Sequence, residues 1–192
     1  KPSIKLESTV PEVSTPDALQ NPVIVGDHSE NLKAKISDIW QENGRPYWAQ
    51  ERFDCLLFNV GKLRIAAPLV VLGTILKVDT NFTTLAGQPD WSLGIMKNGK
   101  TNLQIVDTAK WLMPEKYEAG FKESIRFVIS FMDLEWGLAC SDVQSAMTME
   151  PGNVKWRVNH KVRPWIAGTV IDEMCCILDM EILRLMLTDI GL

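Results

Sequence analysis

Histidine and tyrosine are scarce in this 192-residue sequence, with two of each, and its four cysteines follow no metal-binding or disulfide spacing. His28 and His160 lie far apart, with no cysteine or second histidine beside either, so no metal site is expected. Cys175 and Cys176 are adjacent, which would strain a bond between them, and Cys55 and Cys140 stand alone; reduced thiols of a cytosolic chain are expected. The sequence lacks a glycine-rich dinucleotide loop, a phosphate-binding G-K-[ST] and a G-x-S-x-G nucleophile turn, so neither a cofactor nor an enzyme is expected. Hydrophobic runs are short. The longest, Ile65–Leu72, contains Pro68 and falls far below the roughly 18 residues of a membrane span, which excludes membrane insertion by a helix. The opening Lys1-Pro2-Ser3-Ile4-Lys5 has no apolar leader, and a start on Lys rather than Met reads as a piece of a longer chain.

What is present suffices for a core: 46% of residues are hydrophobic, and the net charge is −4. That fits one ordinary domain or two very small ones. Seven of the fifteen aromatic residues are Trp, so large amphipathic rings occupy places that Phe or Leu would normally fill.

Residues 1–28, with Pro2, Pro11, Pro16 and Pro22, read as a disordered tail or linker. Residues 29–49 read as an amphipathic helix and a connection. Ser29 is a capping residue, Leu32, Ile36, Ile39 and Trp40 recur at helical spacing, and Asn43-Gly44 ends a helix over Glu30–Glu42. Its apolar stripe docks on the following domain or receives a partner.

From Phe53 the pattern is β. Phe53–Val60 and Leu63–Ile75 are apolar runs around a Gly61-Lys62 turn, with Pro68 marking an edge or bulge, and Leu93–Met96 and Leu103–Val106 flank Lys97-Asn98-Gly99-Lys100. Asp107-Thr108 then opens a helical turn, Ala109–Met113. The succession recurs: Ile125–Met132, Trp136–Met149, Trp165–Ile171, Cys175–Leu178, then a helix Met180–Leu187 behind Asp179. Pro89-x-Trp91-x-x-Gly94 matches Pro164-Trp165-x-x-Gly168, and the landmarks Phe58 to Phe131, Trp91 to Trp165 and Asp107 to Asp179 are 73, 74 and 72 residues apart. Three landmarks with one period indicate a duplicated unit. Units with about five short strands close as small barrels, each marginal alone. The expected fold is therefore mainly β: two SH3-like five-stranded barrel subdomains related by a pseudo-two-fold, with short helices and an N-terminal tail.

These residues resemble a known family. Leu57-Phe58-x-Val60-Gly61, Leu63-Arg64-Ile65-x-x-Pro68-Leu69-x-x-Leu72-x-x-Ile75, Pro89-x-Trp91-x-x-Gly94 and Leu103-x-Ile105-Val106-Asp107 resemble the first half of a CheW-like chemotaxis coupling domain. Val128-x-x-Phe131, Gly137-Leu138, Val143, Trp165-x-x-Gly168 and Ile177-Leu178-Asp179-x-x-x-Leu183 resemble the second. The resemblance covers about residues 50–192, with a first barrel at about 53–115, a second at about 120–192, and strands exchanged at the ends. It departs from the family in places: Gly99 stands at the usual Arg, Lys100 at the Gly after it, Gln104 at the usual Pro and Thr74 at a common Glu. These departures and the Pro-containing tail are similar to ParP-type proteins, whose C-terminal CheW-like domain joins chemosensory arrays and whose upstream part is tied to the ATPase ParC.

The resemblance implies a non-enzymatic cytoplasmic adaptor at receptor arrays near the cell pole, with a methyl-accepting chemotaxis receptor and the CheA kinase regulatory domain as partners and ParC as a further one. It implies a receptor groove at Leu72, Ile75, Gly94, Ile125 and Ala146, where aliphatic surface suits the side of a helical hairpin tip. The bland reading is that Leu72, Ile75 and Ile125 are core. Trp165, behind the polar segment Asn159–Pro164, is expected at the surface as a partner anchor. Asp107 and Asp179 read as helix caps rather than an acid/base pair. The alternative function is nucleic-acid binding, through Lys155, Arg157, Lys161 and Arg163 interleaved with Trp156 and Trp165. The acidic chain, with a pI near 5.3, argues against nucleic acid as a partner.

Overall fold

The computed structural model describes residues 38–79, 81–132, 135–158 and 163–189. The predicted tail and most of the predicted helix Glu30–Glu42 lie outside the described residues; Asp38 and Ile39, near its end, are helical.

Among the described residues, eleven strands form two sheets. In chain order they are β1 (Phe53–Val60), β2 (Leu63–Pro68), β3 (Leu72–Lys77), β4 (Ser92–Asn98), β5 (Thr101–Val106), β6 (Phe127–Phe131), β7 (Trp136–Cys140), β8 (Asp142–Met149), β9 (Val154–Trp156), β10 (Ile166–Val170) and β11 (Cys175–Leu178). The helices α1 (Thr108–Leu112), α2 (Gly120–Glu123) and α3 (Met180–Asp189) follow β5, lead into β6 and come last among the described elements. One sheet has the order β8-β1-β2-β11-β10-β9 and the other β3-β6-β7-β5-β4.

The apolar runs are nearly continuous because the inner strands bury both faces. In β1, Leu56, Phe58 and Val60 enter a central core shared by the two sheets, while Cys55 and Leu57 face the interior of the six-stranded sheet. In the five-stranded sheet, Ile129 and Leu138 face the central core, and Val128 and Ala139 join Leu93, Leu103 and Ile105 in its own interior. Both longer helices feed the central core, through Ala109, Trp111 and Leu112 and through Ile182, Leu183, Met186 and Leu187.

Two runs predicted as single strands are each broken and shared between the sheets. Leu63–Ile75 becomes β2, a 3-10 turn at Leu69–Val71, and β3 in the other sheet. Pro68, with no N–H to continue the ladder, stands at the break. Trp136–Met149 divides at Ser141 into β7 and β8, again in different sheets. The sheets consequently do not divide where the sequence repeat does: the halves at about 53–115 and 120–192 each supply strands to both.

The pseudo-two-fold is carried by the register. Leu57 pairs with Ala66 in β1·β2 and Ser130 with Gly137 in β6·β7. The parallel pairs match as well, Ala66 facing Ile177 and Gly137 facing Ile105. This position must stay small, because a Cβ on Gly137 would lie 2.4 Å from Val128 Cγ1. The two sheets differ by one strand. In the larger, β9 pairs with β10, whereas its counterpart is reduced to a single bridge between Thr83 and Ile95. Both contacts require the glycine of the repeated Trp-x-x-Gly motif. A Cβ on Gly94 (φ +113°) would meet Thr83 O at 2.4 Å, and one on Gly168 would meet Lys155 O at 2.9 Å.

Candidate partner-binding site

An outer strand of each sheet, β3 in one and β8 in the other, is related by the repeat: Leu72 lies opposite Phe131, and Val143 opposite Phe58. Along β3, Gly73, Thr74 and Ile75 are exposed in succession, where a regular half-buried strand would alternate. The cause is an irregularity between Leu72 and Ile75, held by one hydroxyl. Ser130 Oγ accepts the Thr74 N–H at 2.7 Å and donates to Thr74 O at 3.1 Å. Gly73 makes room for it, since a Cβ there would sit 2.6 Å from that oxygen. The outcome is an aliphatic side chain, Ile75, left 44% exposed on a rigid edge.

The residues singled out from the sequence separate into three environments. Leu72 is buried in the central core, and Ile125 is half-buried against the interior of the five-stranded sheet. Gly94 is buried beside Thr83. Ile75 and Ala146 are exposed, on β3 and β8. Trp165 corrects the expectation of a surface anchor: it is 5% exposed and part of the central core. It shares that core with Met180, Ile182 and Leu183 of α3. Asp179 N–H donates to Trp165 O at 2.7 Å, fixing the residue at the foot of α3, and the matching bond from Asp107 to Trp91 measures 2.8 Å. Of the two matched residues it is Trp91 that stays half-buried, packed on Trp111 and Trp136 at 5.9 and 6.1 Å.

The aspartates cap as the sequence implies, and each does so with one oxygen only. Asp107 Oδ1 accepts Lys110 N–H and Asp179 Oδ1 accepts Ile182 N–H, both at 3.1 Å. The second oxygen takes an aromatic donor at 2.9 Å, Tyr117 O–H on Asp107 and the Trp40 indole N–H on Asp179. Burial pushes the Tyr117 hydroxyl up to about 12, and its bond to the carboxylate adds to the rise. Burial likewise pushes the Asp179 carboxyl up to about 6, against the Ile182 and Trp40 donors, which lower it. The segment ahead of β1 therefore does for the second half what the inter-half connection does for the first. Sequence reasoning missed Trp40 and Tyr117 in these roles; the only available signal was that a capping carboxylate has a second oxygen to satisfy.

Trp40 also joins Trp48, Phe53 and Trp156 in a ring cluster with centroid separations of 5.2–6.2 Å. This occupies the aromatics on which a nucleic-acid reading depends. Trp156 is packed edge-on with its indole N–H bonded to Pro151 O, Trp165 is buried, and Arg163 is paired with Glu115. Lys161 lies outside the described residues. All four thiols are free and are pushed up chiefly by burial, to about 12 for Cys140 and about 11 for Cys176, which leaves them poor nucleophiles.

A family model, the CheW-like domain, matches residues 54–185. The chain belongs to that family. The match runs from β1 into α3, so the CheW-like region excludes the 38–50 segment that closes Asp179. The scaffolding protein TtCheW from Thermoanaerobacter tengcongensis has the same fold, with a TM-score of 0.55 at 12% identity over 66% of this chain and 86% of that one. A comparison with curated proteins returns no match. Among the described residues, no helix is long and apolar enough to cross a membrane.

Proposed function

We propose that this CheW-like chain is a non-enzymatic adaptor of a chemosensory array, which binds the helical hairpin tip of a methyl-accepting chemotaxis receptor and the regulatory domain of the CheA kinase. The observation that carries the reading is the β3 edge, where Ser130 holds an irregular strand with Ile75 exposed over the buried Leu72. A rigid aliphatic edge favours a helix side, because it gains apolar contact without ordering loops. The resemblance adds Ala146 on β8, Gly94 on β4 and the half-buried Ile125 to the proposed receptor surface. Trp165 has no part in it. The ParP-type reading adds a cytoplasmic location near the cell pole and a link to ParC through residues ahead of 38.

The test is capture of a receptor-tip fragment and of the kinase regulatory domain by the chain and by its Ile75→Asp variant. Burying a carboxylate in an aliphatic contact should weaken receptor capture at least tenfold. Kinase capture and thermal stability should stay unchanged, since Ile75 is outside the core. Failure of the parent to capture either partner refutes the proposal. ParC capture by the full chain, lost when residues 1–37 are removed, tests the polar link.

A further inference from the structure

The repeat has one place that is filled in the first half and open in the second. In the first half the connection after α1 brings Tyr117 onto Asp107 and then lays Phe121 over the β1–β2 turn, with the Phe121 ring edge-on to Tyr117 at a centroid separation of 6.0 Å. Gly61 in that turn admits the ring, since a Cβ there would stand 2.8 Å from Phe121 Cζ.

In the second half Trp40 takes the part of Tyr117, on Asp179. No described residue takes the part of Phe121. Beside Met132, where the equivalent β6–β7 turn begins, lies a cavity of about 290 Å³ lined by Tyr47, Val70, Phe131, Met132 and Met180. Tyr47 is held as one wall by its O–H, which donates to Glu181 Oε1 at 3.2 Å. Val70 and Met132 are more than half exposed, so apolar surface faces solvent where the first half covers it with a ring of its own.

The chain enters the fold beside this cavity. Trp40 and Pro46 form an antiparallel bridge, which sets Ile39 alongside Tyr47. Ile39 is buried and shares the central core with Met180, whereas Asp38 is exposed. Both have helical backbone. On a helix the residue that shares a face with Ile39 and Trp40 is Ile36, three and four positions back, and Leu32 follows four positions before it. At 1.5 Å per residue Ile36 stands about 4.5 Å ahead of Ile39 along the axis, within reach of a wall that Ile39 already adjoins.

We propose that the occupant of the cavity is the chain's own upstream segment, residues 30–37, continuing the helix at Asp38 and Ile39 and seating Ile36 and Leu32 on Val70, Met132 and Tyr47 as Phe121 is seated over Gly61. The contact is intramolecular, so a small area suffices to hold it. Seated there, the segment covers Val70 and Met132. A partner that takes the stripe of Leu32 and Ile36 must first release it from the cavity, so engagement of the upstream part and exposure of this face are coupled.

Two measurements on the full chain test this. In the methyl-labelled parent, nuclear Overhauser contacts should join the Ile36 Cδ1 methyl to the Met132 and Val70 methyls. Separately, oxidation of Ile36→Cys/Met132→Cys should close an intrachain disulfide at least tenfold faster than oxidation of Ala34→Cys/Met132→Cys, whose thiol lies on the opposite face of the helix at nearly the same tether length. Adding Val70→Asp, a change at an exposed position, should bring the first rate down to the second. The proposal is overturned by absence of the Ile36 contacts in the parent, which would leave the cavity to a separate partner, by equal closure rates, by a rate that Val70→Asp leaves unchanged, or by a disulfide that joins two chains in preference to one, which would put a second copy in the cavity.

Discussion

Asp179 shows how one buried oxygen can make stability depend on pH. Its carboxyl is wholly buried at the head of α3, and burial raises it from 3.8 to about 6 despite two donors. Between those values the folded chain holds a proton that the unfolded chain releases, so this group's contribution falls as pH rises from about 4 to 6 and is flat above. The span is roughly 3 kcal/mol. Urea unfolding of the parent and of Asp179→Asn should therefore show a difference in stability that moves against the parent by roughly 2–3 kcal/mol from pH 4 to pH 7. A difference that stays level across this range would mean the carboxyl is not raised. Tryptophan is the other lesson at this scale. The seven rings divide between Trp91, Trp111, Trp136 and Trp165 about the central core and Trp40, Trp48 and Trp156 at the six-stranded sheet. Their abundance serves packing, with indole N–H groups spent on Asp179 and Pro151.

Among elements, the repeated Trp-x-x-Gly gains its physical meaning from its last residue. Gly94 has both a positive φ and a carbonyl 2.4 Å from where its Cβ would be, while Gly168 has the close carbonyl alone, at 2.9 Å. Gly94→Ala should cost about 2–4 kcal/mol and Gly168→Ala less, because only the first combines backbone strain with a clash against backbone. Chemical denaturation of the two variants checks the order; equal costs would show that crowding, not strain, sets the penalty. The strands around the breaks at Pro68 and Ser141 were legible as apolar runs, and β1 and β11 have the bounds that the runs imply. The breaks were not, because period and burial continue through them and only a change of hydrogen-bonding partner marks the crossing. β9 was missed for a different reason: three residues in a polar stretch pair only because Gly168 admits them.

For the whole molecule, exchange of strands makes the fold one cooperative unit. The first half supplies β1 and β2 to one sheet and β3–β5 to the other, and the second half completes both. A chain cut between Glu118 and Ala119 should therefore give two fragments that are each unfolded alone and that regain the native NMR spectrum when mixed. Either fragment folding by itself would show that a half can bury its own faces. The same exchange sets β2 beside β11, with Ile65 facing Cys176, a contact that no reading of the linear chain supplies.

The duplicated unit, the strand texture, the two capping aspartates and the CheW-like family were all readable from residue order, since each is written in local pattern: a period near 73 residues, apolar runs between turn residues, an acid before a helix. Exposure was not. Trp91 and Trp165 occupy equivalent places in the repeat, yet one is half-buried and the other closed in the core, and Ile75 is exposed three residues beyond a buried Leu72. Which aromatic donor satisfies Asp107 and which satisfies Asp179 also had to await the fold. These outcomes depend on which distant segment covers a surface, and coverage arises only when both sheets have closed upon a shared core.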